Sequence, residues 1–177
     1  MKLRLSYLVA LALALALATG RVNAEERHLG PHVHGQATVE VSSEGSTLEV
    51  DLSLPGHDAV GFEHPPATPG QVRALGKARD VLLGGTWLQP ADAAGCKVSS
   101  ARLVDDGFDA NAKPGAHGDF DVSYRFTCAT PGRLDAMEVG LFKAFATLQR
   151  VVVDVVAANG ATEQVLERPA THVALSP

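Results

Sequence analysis

The sequence predicts an α+β fold: a largely antiparallel β-sheet of about six to eight strands, one principal helix across its apolar face, and one disulfide. Three observations carry that prediction. Several short runs alternate apolar and polar residues, most clearly where Phe120, Val122, Tyr124, Phe126 and Cys128 share one face and Asp119, Asp121, Ser123 and Arg125 the other. A stretch at 68–83 combines helix start and stop signals with helical spacing. Two cysteines, Cys96 and Cys128, follow a leader that reads as an export signal.

In the leader, Lys2 and Arg4 precede an apolar run at 8–18, and Val22-Asn23-Ala24 offers small residues for cleavage before Glu25. Residues 1–24 are therefore expected to be a secretory signal peptide, and 25–177 a single domain. The apolar run is too short to span a bilayer, no cysteine follows the cleavage point to take a lipid, and no twin-arginine pair is present. The expected product is a soluble exported protein without a membrane anchor, periplasmic in a host with two membranes. Removing the leader takes Lys2, Arg4 and Arg21 from the 15 basic residues and leaves 12 against 20 acidic ones, a net charge of −8. Such a surface argues against nucleic acid and anionic lipid as partners and mildly favours cations.

Ala37, Val39 and Val41 alternate with Gln36, Thr38 and Glu40, and Leu48, Val50, Leu52 and Leu54 alternate with Glu49, Asp51 and Ser53. Ser43-Glu44-Gly45-Ser46 between them has turn chemistry, so 36–54 reads as an antiparallel hairpin. Pro55-Gly56 ends it. Residues 60–66, Val-Gly-Phe-Glu-His-Pro-Pro, are too rich in Gly and Pro for a regular element. In the helix, Thr68 is the N-cap, Pro69 fits the first position, and Gln71 completes a capping box. Val72, Leu75, Leu82 and Leu83 fall near one face before Gly84-Gly85 stops it.

A strand is expected over 97–104, then an acidic loop over 105–116. That loop holds Asp105, Asp106 and Asp109 but lacks the ligand order of a calcium-binding EF-hand. Beyond the strand that ends at Cys128, residues 137–148 supply Leu141, Phe142, Phe145 and Leu148 to the core, as strand or short helix. The valine-rich run 149–156 reads as a strand buried on both faces. Asn159-Gly160 turns the chain into 161–166, and 172–175 forms a short final edge. Cys96 and Cys128 fit neither a redox CxxC pair nor a zinc ribbon, so a structural disulfide joining two sheet elements is expected. Closing a loop of that length contributes about 3–4 kcal/mol through the entropy of the unfolded chain.

The chemistry lies in the histidines. The stretch His28-Leu29-Gly30-Pro31-His32-Val33-His34-Gly35 holds three of the seven, and imidazole is the commonest metal ligand among side chains. Carrying the alternation of 36–41 backwards puts His32 and His34 on one polar face, where two imidazoles can close on one ion. The same parity in the later strand sets His117 beside Asp119. The loop between hairpin and helix offers Glu63 and His64. A solvated, histidine-rich strand end stands beside the metal reading. His28, His57 and His172 are single and read as ordinary solvated histidines. No nucleophile elbow, phosphate loop, dinucleotide fingerprint or zinc-protease helix is present, so the protein is not expected to be an enzyme.

His32-Val33-His34-Gly35-Gln36-Ala37, then Val60-Gly61-Phe62-Glu63-His64-x-Pro66, together resemble the ZrgA-like periplasmic proteins associated with zinc uptake. His117-Gly118-Asp119-Phe120, Tyr124-x-Phe126-x-Cys128 and Leu141-Phe142 follow in the same order. The resemblance spans nearly the whole chain after the leader. It implies a zinc-binding periplasmic protein of a metal-uptake system, with a membrane zinc transporter or another periplasmic component as partner. Members of that family commonly carry a long histidine-rich insert before the later strand. Here 105–116 holds aspartates and no histidine, which argues against high-capacity buffering and leaves a single site. The resemblance matches His32, His34, His64 and His117, and Glu63 and Asp119 join them as candidates on chemistry alone. Expected is one principal Zn(II) site on the sheet's polar side, built on His32 and His34 and completed by His64 or His117. The alternatives are a metal-free envelope adaptor and a copper- or nickel-handling protein, since such ligands do not select zinc by affinity.

Overall fold

In the computed structural model the described residues are 33–112, 115 and 117–175. His32, the signal-peptide reading and His28 lie outside them. Among the described residues nine strands form two sheets. The first six-stranded sheet contains β1 (Gln36–Glu44), β2 (Thr47–Pro55), β4 (Cys96–Val104), β5 (Asp119–Cys128), β7 (Arg150–Ala157) and β8 (Gly160–Glu167), in the order β4-β5-β2-β1-β7-β8. The second contains β3 (Leu88–Pro90), β6 (Ala136–Val139) and β9 (His172–Ala174), with β6 central. All strand pairs are antiparallel except β1 with β7, which run parallel.

The alternation does what the pattern requires. Val39 and Val41 on β1, Leu48 to Leu54 on β2, and Phe120 to Cys128 on β5 turn their apolar positions to one side, all nearly or fully buried. The core they enter also takes Leu75, Ala78 and Leu82 from α2 (Pro69–Gly84), Leu141 and Phe142 from α3 (Leu141–Ala144), and Met137, Val139 and Val173 from the small sheet. Full burial of such side chains stabilises by about 1.5–3 kcal/mol each before entropy is counted. Thr68 caps α2 by accepting the Gln71 N–H at 3.2 Å, while the Gln71 side chain accepts from Ala67 N at 2.8 Å. The Trp87 indole N–H and the Tyr124 hydroxyl both donate to the Leu82 carbonyl, tying the end of α2 to the sheet.

One expectation is corrected, and two further stretches are resolved. The strand β7 is not buried on both faces: Val151, Val153 and Val155 are inside, while Val152 and Asp154 are half-buried and Val156 is exposed. The burial of β7 therefore alternates along the strand as it does on β1, β2 and β5. Residues 137–148, left open between strand and helix, contain both, as β6 followed by α3. The chain directly after β2 is a short helix, α1 (Gly56–Val60), ended by Gly61 in the left-handed conformation with φ +84°. The disulfide is as expected: Cys96 and Cys128 face each other across β4 and β5 and are bonded.

Candidate metal centre

The order β5-β2-β1 in the sheet brings three chain segments to one end. The residues just before β1, those just after β2 and those just before β5 all lie there, as the pairing of Pro55 with Asp119 shows. Each segment carries a histidine or a carboxylate.

Glu63 is the centre of the group. Phe62 beside it is buried and packs edge-on against Phe108, which in turn packs on Phe120. That apolar anchor fixes where Glu63 emerges. The Glu63 carbonyl accepts the Gly118 N–H at 3.1 Å, and the Gly118 carbonyl accepts the Gly56 N–H at 2.8 Å. The junction closes because it is built of glycine. A Cβ on Gly118 would lie 2.6 Å from the Phe108 ring, and one on Gly56 would lie 2.3 Å from the Gly118 oxygen.

Held this way, the carboxylate takes one imidazole on each oxygen. His34 Nε2 donates to Oε1 at 2.8 Å, and His117 Nδ1 donates to Oε2 at 2.6 Å. The His57 backbone N–H reaches Oε1 at 3.4 Å, and the His57 ring stacks on that of His34 with centroids 4.4 Å apart. The Glu63 side chain is 12% exposed, whereas His34 and His117 are 52% and 64% exposed. A shielded carboxylate thus supports two imidazoles open to solvent.

His34 is positioned through its neighbour. The Gly35 N–H donates to Oδ2 of buried Asp58 at 2.8 Å, and the Gly35 carbonyl accepts from Gln149 N and Arg150 N, each at 2.9 Å. Gly35 has φ +84°, and a turn closed by Gln36 N to Val33 O precedes β1.

The electrostatics follow from these contacts. Partial burial acts to raise the Glu63 pKa, but hydrogen bonds from His117, His34 and the His57 backbone, with the charge of His34, outweigh it and hold the carboxyl below its ordinary value. His117 is raised above the ordinary imidazole value, first by its hydrogen bond to Glu63 and then by the Glu63 charge. Slight desolvation opposes this, and the charge of Asp119 adds to it.

The candidates divide accordingly. His34, Glu63 and His117 are brought together, and Asp119, the first residue of β5, acts on His117 through its charge. His64 is engaged elsewhere: its Nδ1 faces the Pro65 carbonyl at 2.8 Å and its ring leans on Phe62. His57, read from the sequence as solvated and unremarkable, joins the group by stacking on His34. A lone imidazole in a five-residue helix leaves no periodic signal, and its neighbour Asp58 likewise gave none. His34 and His117 lie just ahead of β1 and β5 and not within them, and Gly35 takes a positive φ between His34 and β1.

A His nitrogen 2.6–2.8 Å from a carboxylate oxygen is a proton-bridged pair that a metal ion can enter, with ligand chemistry suited to zinc, copper or nickel. Among the described residues no three His, Cys, Asp or Glu side chains converge on a single metal position. A cavity of ≈ 420 Å³ opens behind α1, toward Ala74, Ala78, Val81 and Phe145. Its wall is mainly apolar and unsuited to a metal ion. No helix among the described residues is long and apolar enough to cross a membrane.

A family model described as "ZrgA family zinc uptake protein" matches residues 31–175. No curated protein matches the chain.

Proposed function

The chain belongs to the ZrgA family of zinc uptake proteins, and we propose that it serves that role by binding Zn(II) in the periplasm through His34, Glu63 and His117. One observation supports this reading above the others: a single shielded carboxylate holds two exposed imidazoles drawn from chain segments 29 and 54 residues away from it. A fold has no need of such a group for its core, and all three residues carry donors that zinc accepts at about 2.0–2.2 Å. Zinc is the cargo rather than a resident cofactor, and no catalytic step is assigned; the protein is a binding component, not an enzyme. The signal-like leader supports export. A membrane zinc transporter or another periplasmic component is the partner that the family role calls for.

The test is a competition titration of metal-depleted protein with zinc, copper and nickel against a chromophoric chelator. Zinc is expected to be held, and Glu63→Gln is expected to weaken it by at least the ~10–100-fold that loss of an orienting carboxylate costs. Equal zinc retention by wild type and Glu63→Gln removes the reading, as does tight binding of copper or nickel with none of zinc. Fractionation of cells expressing the full chain should recover it, shortened by about the leader's length, from the periplasm.

A further inference from the structure

We propose that Asp58 is a positioning residue for His34: its buried carboxyl group, by accepting the Gly35 N–H, sets where the His34 imidazole meets Glu63. The inference rests on the zinc reading of that pair, and its first readout needs no metal. It starts from the backbone on either side of Gly35. The peptide unit after Gly35 belongs to the sheet. Its carbonyl accepts from Gln149 N and Arg150 N at 2.9 Å each, and its N–H, that of Gln36, donates to Val33 O at 3.0 Å. The unit before Gly35 joins it to His34, and its N–H donates to Asp58 Oδ2 at 2.8 Å. Between the two units stands a glycine at φ +84°, the residue type with the widest range of backbone rotation. Gly35 is thus a swivel between the sheet and His34. Asp58 holds the far side of that swivel, and with it the direction from which His34 reaches Glu63 Oε1 at 2.8 Å.

Asp58 is itself fixed to the same frame, yet its side chain does not serve the core. Its carbonyl accepts the Thr147 hydroxyl at 2.7 Å, from the segment whose Gln149 and Arg150 hold Gly35. Among the described residues it is the one buried acidic side chain, 3% exposed, and its Oδ1 accepts no hydrogen bond. A polar oxygen enclosed without a donor opposes folding. The neighbours of Asp58 around the cavity behind α1 include Ala59, Val60, Ala78 and Phe145, among which an apolar side chain would be at home. What the carboxyl group supplies in exchange is one side-chain bond, directed at the swivel beside His34. Such a group serves the site at some expense to stability.

Nuclear magnetic resonance and titration of the full chain with zinc sulfate test this in Asp58→Ala, Asp58→Asn and Thr147→Val. In the metal-free protein the His34 and His57 rings lie 4.4 Å apart, so cross-peaks between them report where His34 stands. His57 keeps its own hold in α1, its carbonyl taking the Gly61 N–H at 3.0 Å. Asp58→Ala is expected to abolish the cross-peaks and to weaken zinc at least about tenfold, the lower end of what losing an outer supporting group costs. Asp58→Asn keeps an acceptor for Gly35 at the same length and should restore both. Thr147→Val loosens Asp58 without altering its carboxyl group and should move both readouts the same way by less. Cross-peaks and affinity unchanged in Asp58→Ala, or in Thr147→Val where Asp58→Ala does not fold, overturn the proposal. So does affinity lost with cross-peaks intact, or an Asp58→Asn that behaves as Asp58→Ala, because Asp58 then acts otherwise than through the Gly35 bond. Wild type that holds no zinc, with cross-peaks lost in Asp58→Ala and kept in Asp58→Asn, removes the proposed function and leaves the positioning of His34 standing.

Discussion

Among the described residues there are two His–carboxylate groups, and they differ in instructive ways. One is Glu63 with His34 and His117, where loops meet at the end of the large sheet. The other is Glu138 with His172, paired across β6 and β9 on the small sheet, with His172 Nδ1 donating to Oε1 at 3.0 Å and Thr171 donating to the other oxygen. In both, hydrogen bonds hold the carboxyl below its ordinary value: at Glu138 those from Thr171 first and His172 second, at Glu63 those from the histidines against an opposing effect of burial. The chemistry is the same, but the setting is not. Glu138 is 47% exposed and shares its oxygens between one imidazole and a hydroxyl, whereas Glu63 is 12% exposed and gives both to imidazoles. A cross-strand pair on an open face contributes little and organises nothing beyond itself. The loop group is held by glycine contacts and a phenylalanine anchor, which fix the position of its carboxylate.

The largest expected effect separates the site from the frame that carries it. Cys96 and Cys128 close the end of β4–β5 opposite to His117. Cys96→Ser/Cys128→Ser should therefore lower unfolding free energy in denaturant by about 3–4 kcal/mol. In the folded double variant, zinc affinity at the Glu63 group should be unchanged. A matching loss of affinity would show that the two ends of β5 are not independent.

Next comes the junction itself. Gly118→Ala forces a methyl group against Phe108, whose ring atoms lie 2.6–3.0 Å from the added carbon. Overpacking of this kind costs about 1–3 kcal/mol. Because Phe108 supports Phe62, and Phe62 sets Glu63, zinc affinity should fall in the same variant. The contrast with the disulfide is the point: less stability lost, but more binding. Calorimetry with zinc beside a denaturation curve for each variant reads both.

How much of this was legible in the sequence follows from the range of the forces involved. Strands β1, β2 and β5 and helix α2 are written in local alternation and capping, and the cysteine pairing follows from compartment and count. The small sheet was not legible as such, since three-residue strands such as Leu88–Pro90 have no period to read. Alternation and the resemblance single out His34 and His117, and chemistry beside the matched histidines singles out Glu63; the positive φ of Gly35 interrupts the alternation between His34 and β1. What assembles them is the strand order β5-β2-β1 and the close approach of Gly56 to Gly118, both long-range. His57 was passed over because stacking on a histidine 23 residues away leaves no trace in spacing.

A smaller effect concerns pH in the metal-free protein. The raised His117 pKa means its ion pair with Glu63 stabilises fully below the ordinary imidazole value and is lost as pH rises through the folded-state value. The lowered Glu63 pKa acts in the opposite sense, its contribution being present above the ordinary carboxyl value and lost as pH falls through the folded one. The pair is therefore strongest on the mildly acidic side of neutrality. A nuclear magnetic resonance titration should place the His117 midpoint above that of an ordinary histidine, and Glu63→Gln should bring it down. A His117 midpoint unmoved by that substitution would mean that the contact does not form in solution.

The smallest expected effect is the one that tests the comparison most directly. Glu138→Gln and His172→Ala remove the second His–carboxylate pair, which offers a single imidazole and a carboxylate already committed to Thr171. Both side chains are about half exposed or more, so the stability change should stay within the ~0.2–1 kcal/mol of exposed ion pairs. Zinc stoichiometry and affinity should be those of wild type, because the prepared carboxylate is Glu63. If either variant instead lost bound zinc, mere proximity of histidine and carboxylate would suffice for binding. The shielding and glycine packing around Glu63 would then have no special part in selecting where the metal goes.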